Sequence, residues 1–81
     1  MQTDLLLTKK QQVYEFIKGL GRAKTSDVIR FGLSIYHNRA DRDARDLAKA
    51  GLIRRLTDSE KRFYYGQIGE DVWEVILDAQ G

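Results

Sequence analysis

Residues 33–55, LSIYHNRADRDARDLAKAGLIRR, decide the fold. Their small and basic side chains recur at the spacing of a single helix, expected from about Ile35 to Ala50. At about 100° per residue, Ala40, Ala44, Leu47, Ala48 and Gly51 fall on one stripe, and Asn38, Arg42, Arg45 and Lys49 fall nearly opposite. A helix with an inner face of small residues and a cationic outer face suits insertion into a DNA major groove, which admits one α-helix. Gly51 stands where a helix ends on a left-handed residue, and Leu52-Ile53 then begin an extended segment.

The run Arg42-Asp43, Leu47, Gly51-Leu52-Ile53-Arg54 has the form RDxxxLxxxGLIR. In these residues the chain resembles winged helix-turn-helix transcription regulators, most closely the recognition-helix region of the DeoR-like (deoxyribose-operon repressor) type. The resemblance covers roughly residues 9 to 65 and implies sequence-specific binding of double-stranded DNA, with the N-terminal half of this helix against base edges. There Asn38 has the donor and acceptor to pair with adenine, and Arg39 or Arg42 the fork to pair with guanine. Ser34, the expected cap of the helix, and Tyr36 and His37 in its opening turn are expected DNA contacts as well. Arg45 and Lys49, further along, are placed for phosphates, which add affinity without discrimination. In the hairpin that should follow, the resemblance implies that Lys61 and Arg62 at the tip and Arg54 or Arg55 at the base track the DNA backbone or enter the minor groove.

Outward from this stretch, Thr8 and Gln11 form a capping box, and Val13, Phe16, Ile17 and Leu20 recur at helical spacing. The first helix is therefore expected from about Lys9 to Lys18, ending in the Gly19-Leu-Gly21 turn. Asp4 to Leu7 reads either as an extended arm or as the lead into that helix. Thr25 or Ser26 can cap a second, short helix that stops at Gly32. Ile53 to Leu56 and Arg62 to Tyr65 are strand-like around the polar Thr57 to Lys61, a pattern that predicts a β-hairpin. Alternation there puts at least part of the Phe63, Tyr64, Tyr65 cluster in the core. After Gly66 and Gly69, Glu70 and Asp71 open a last helix, about 70–79, with Val72, Trp73, Ile76 and Leu77 as its apolar face. That face either completes the domain's own core or forms a dimer interface, two-fold pairing being the commonest way to cover it. The expected fold is mainly α with a small β-hairpin: a winged helix-turn-helix core over 8–65 and an added C-terminal helix.

Composition narrows the function further. Eighty-one residues make one domain, and at this size only about 60% of the unfolded surface is buried. No segment is apolar for long enough to span a membrane, and the Met1-Gln-Thr-Asp start lacks the features of a signal peptide. Without cysteine, and with His37 as the only histidine, neither a disulfide framework nor a metal cluster is expected. No nucleophile elbow or glycine-rich phosphate loop is present, so neither enzyme activity nor a cofactor is expected, and the reading is of a cytoplasmic protein. Residues 1–65 hold all 14 Lys and Arg against eight acids, whereas 66–81 hold four acids and no base. This asymmetry favours a polyanion partner for the first part. The competing reading is a protein-interaction module of the same fold. On that view Arg39 with Asp43, Asp41 with Arg45, and Arg42 with Asp46 are ion pairs on a solvated face.

Overall fold

The computed structural model describes residues 8 to 77. In chain order its elements are α1 (Lys9–Leu20), β1 (Arg22–Lys24), α2 (Thr25–Ser34), α3 (Ala40–Lys49), β2 (Ile53–Arg55), α4 (Asp58–Tyr65) and β3 (Val72–Val75). The structure is thus mainly helical, with a small antiparallel sheet in the order β1-β3-β2. Asp4 to Leu7 and positions 78 and 79 of the expected last helix lie outside the described residues. No described helix is long and apolar enough to cross a membrane.

Helix α1 starts as its capping box requires: Gln11 N–H donates to Thr8 Oγ1 at 3.1 Å, and Thr8 N–H donates to Gln11 Oε1 at 2.9 Å. It buries Val13 and Ile17 and ends at Gly21. Helix α2 does begin at Thr25, but neither Thr25 nor Ser26 caps it from its own side chain. The Glu70 carboxylate does so from far along the chain, accepting from Ser26 N–H at 2.7 Å. Gly32 is not the stop either. It is buried where α2 crosses α3, and a Cβ there would lie 2.6 Å from the His37 carbonyl oxygen and 2.7 Å from Ala40 Cβ. Gly32→Ala is therefore expected to force the helices apart and destabilise the protein by about 1–3 kcal/mol. Urea denaturation with an unchanged midpoint would contradict this close approach.

The third helix starts at Ala40, later than Ile35, and Ser34 is not its cap. Ile35 to Arg39 form a separate turn, because Tyr36 has φ 58°, a left-handed value that cannot sit inside a right-handed helix. From Ala40 onward the expected inner stripe holds: Ala40, Ala44 and Leu47 are buried and Ala48 packs beside them. Gly51, at φ 82°, closes the helix as expected.

The hairpin and the C-terminal helix are corrected by the structure. Thr57 and Glu60 form a second capping box, with Glu60 N–H to Thr57 Oγ1 at 3.1 Å and Thr57 N–H to Glu60 Oε1 at 2.9 Å. The segment Thr57 to Lys61, expected as a turn, is therefore the start of α4. Arg62 to Tyr65 continue that helix, and of the aromatic cluster expected to lie at least partly in the core, Phe63 and Tyr64 are exposed and Tyr65 is half-buried. The residues expected to form the last helix instead supply the central strand, with Arg22↔Glu74 and Arg54↔Glu74 as paired positions on either side. Valine and tryptophan suit a pleated, buried surface better than a short helix does. Glu70 and Asp71, read as helix-start acids, are engaged elsewhere: Glu70 caps α2, and the Asp71 carbonyl accepts from Thr25 N–H at 2.9 Å.

Consequently Val72, Trp73, Ile76 and Leu77 do not make one outward face. Val72 and Trp73 are buried, Ile76 is half-buried and Leu77 is exposed. Trp73 joins Ala23 and Ile53 in the core formed with α1, α2 and α3, and its Nε1–H donates to Thr25 Oγ1 at 3.2 Å.

Candidate nucleic-acid interface

Arg42, Arg45 and Lys49, spaced by three and four residues, line one exposed side of α3 over about 10 Å. Arg39, also exposed, stands immediately before the helix. The acids on α3 are each engaged. Asp41 faces Arg45 at 3.7 Å, Asp46 faces Lys10 of α1 at 3.6 Å, and Asp43 is buried against His37, with Oδ2 2.6 Å from Nε2. Of the three ion pairs expected from helical spacing, only Asp41 with Arg45 forms, because Asp43 and Asp46 turn toward other elements. Arg39, Arg42 and Lys49 have no ion pair among the described residues.

The turn before α3 distributes its residues differently from the expected helix. Ser34 is exposed at the end of α2, and its hydroxyl donates to the Phe31 carbonyl at 2.6 Å. Tyr36 is 96% exposed, and Asn38 is exposed in the turn, so it does not continue the α3 stripe. His37 is a clamp between turn and helix, its Nε2–H donating to the Asp43 carboxylate and its backbone N–H to the Gly32 carbonyl at 2.8 Å. The imidazole is thereby mostly covered, with its Nε2 committed to Asp43.

The cations expected on a wing are placed unevenly. Arg55 pairs with Asp71 at 3.4 Å, and its guanidinium lies over the Trp73 ring at 5.2 Å. Lys61 is mostly covered and donates to the Glu70 carbonyl at 3.1 Å, so it ties α4 to the chain before β3 and stands at no tip. Arg62 is exposed on α4 without an ion pair among the described residues.

Arg54 belongs to a frame that local sequence did not announce. Its guanidinium holds both oxygens of Glu60, at 2.9 and 2.8 Å, and reaches Glu74 Oε1 at 2.7 Å, while Arg22 meets Glu74 Oε2 at 3.1 Å. Hydrogen bonds from Arg54, and then from the Thr57 backbone, lower the Glu60 carboxyl to about 2. The bond to Glu60 raises Arg54 in turn, and the bond to Glu74 raises Arg22. The Arg22 guanidinium also lies 3.7 Å from the Tyr64 ring centroid. Arg22, Glu74, Arg54 and Glu60 thus fasten α4 across all the strands. Only the Thr-x-x-Glu spacing at Thr57 was a local signal for any of this, since the other partners meet through strand pairing.

Among the described residues no group of His, Cys, Asp and Glu is arranged to hold a metal ion. No family model, no curated protein and no solved structure matches the chain.

Proposed function

We propose that the protein is a sequence-specific, double-stranded-DNA-binding transcription regulator of the winged-helix class, with the outer face of α3 in the major groove. One observation carries this reading: Arg39, Arg42 and Lys49 stand exposed and unpaired among the described residues, while every acid on α3 is engaged by another partner. Such a face is strongly cationic toward an approaching phosphate backbone. The element order, the strand order β1-β3-β2 and the tight Gly32–Ala40 crossing of α2 on α3 are compatible with that class. In this account α4 stands in the position of the wing's hairpin tip and offers Arg62 to the backbone. Arg39 and Arg42 read base edges from the start of the helix, and Arg45 and Lys49 hold phosphates. If two copies share one operator-like site, they pair through a surface other than Val72 and Trp73, which the core occupies.

A second reading, a protein-docking module, is favoured by Phe63, which projects from α4 at 80% exposure. Salt dependence separates the two. Arg45, Lys49 and Arg62 on about three phosphates predict that log K for duplex DNA falls against log salt with a slope near −3. Absence of duplex binding, or binding indifferent to salt, would exclude the DNA reading.

A further inference from the structure

The turn between α2 and α3 holds an aromatic side chain for which the fold has no use. Tyr36 N–H donates to the Leu33 carbonyl at 3.1 Å and His37 N–H to the Gly32 carbonyl at 2.8 Å. This pair of bonds closes a helix through one left-handed residue, and Tyr36 is that residue, at φ 58°. The chain uses the same closure after α3, where Gly51 N–H reaches the Ala48 carbonyl at 3.0 Å and Leu52 N–H the Leu47 carbonyl at 3.1 Å. There the left-handed residue is a glycine, at φ 82°. Glycine accepts that conformation without strain, whereas the Cβ of a tyrosine crowds the following carbonyl oxygen. Among the described residues Tyr36 is the only non-glycine at positive φ.

Burial does not offset the strain. The side chain is 96% exposed, and neither its ring nor its hydroxyl has a partner among the described residues. Nor can the turn relax on its own, because its flanks are fixed by the Gly32–Ala40 contact on one side and the bond from His37 to Asp43 on the other. A strained residue held in place by its surroundings, with its side chain in solvent and in the turn that leads into α3, has the marks of a contact residue.

We propose that Tyr36 is a duplex contact. Its ring packs on the sugar and thymine-methyl surface at the edge of the groove that α3 enters, and its hydroxyl donates to a phosphate oxygen. The proposal rests on the reading of α3 as the DNA-binding face. Because the turn is closed by backbone bonds before DNA arrives, the Cα–Cβ bond is presented in one direction and the backbone needs little further ordering on binding.

The test compares Tyr36→Gly, Tyr36→Asn and Tyr36→Phe in the full chain, by thermal melting and by titration with a duplex that the parent binds. Gly and Asn both accept the left-handed conformation, and Asn does so without the added freedom of glycine in the unfolded chain. At least one of them is expected to melt above the parent, and both to bind duplex about tenfold more weakly or worse. Tyr36→Phe should melt like the parent and lose a smaller part of the affinity. Two outcomes overturn the contact while the α3 reading stands. In one, Gly and Asn variants bind as tightly as the parent while Arg42→Ala binds weakly; in the other, neither variant melts higher, which removes the strain argument. A parent that binds no duplex overturns the α3 reading and the contact with it.

Discussion

Trp73→Ala is expected to cost about 3–5 kcal/mol of folding stability, the usual result of truncating a fully packed indole. The residue is 2% exposed in the central strand, packed with Ala23 and Ile53, and the change also removes the hydrogen bond from its Nε1–H to the Thr25 hydroxyl. Domains of this kind have a total stability of about 5–15 kcal/mol, so the variant should lose a large share of its margin and melt far below the parent. Trp73→Phe, which keeps an aromatic ring and loses the hydrogen bond, should fall in between. Thermal unfolding followed by circular dichroism measures both. A Trp73→Ala variant as stable as the parent would mean that the indole faces outward.

Joint replacement of Arg39 and Arg42 by Ala should do the opposite, leaving stability nearly intact and removing DNA affinity. Both side chains are exposed and unpaired among the described residues, and changes at such positions usually stay within about 0.5 kcal/mol of the parent's stability. Each base-reading arginine contributes about 1–3 kcal/mol to binding, so together their loss should weaken the preferred duplex by roughly 30-fold or more. Lys49→Ala, in contrast, should weaken all duplexes to a similar degree and lower the salt slope by about one. Fluorescence anisotropy with labelled duplexes reads both variants. Undiminished binding by the double variant would mean that the outer face of α3 makes no base contact.

What sequence reasoning captured was the locally encoded part. Thr8 with Gln11 marked the start of α1, Gly51 marked the end of α3, and Ala40, Ala44 and Leu47 marked its inner face. Thr57 with Glu60 carries the same kind of signature as Thr8 with Gln11. It was outweighed by the aromatic run Phe63-Tyr-Tyr65, whose residue types suit strands. Tyr36 gave no warning of a helix break because bulky residues seldom adopt positive φ. Strands β1 and β3 were missed for a different reason. Each is too short to show a period, and they exist because Arg22 to Lys24 and Val72 to Val75 meet across half the chain. The same non-locality hid the frame of Arg22, Glu74, Arg54 and Glu60, and with it the fact that Arg54 is committed to structure.

At the candidate site, residue types were legible while their engagements were not. The acids interleaved on α3 left two readings open, because spacing alone allowed them to neutralise Arg39 and Arg42. Tertiary contacts show where those acids go: Asp43 is taken by His37 and Asp46 by Lys10, so the two arginines remain unpaired among the described residues.

The central claim, that α3 reads duplex DNA, is tested most directly by selecting bound duplexes from a random library with the parent protein and with Arg42→Ala in parallel. The account predicts that the parent enriches one motif and that Arg42→Ala relaxes the preference at a single position within it. Recovery of duplexes with no enriched motif, or the same motif with unchanged preference from Arg42→Ala, would contradict it.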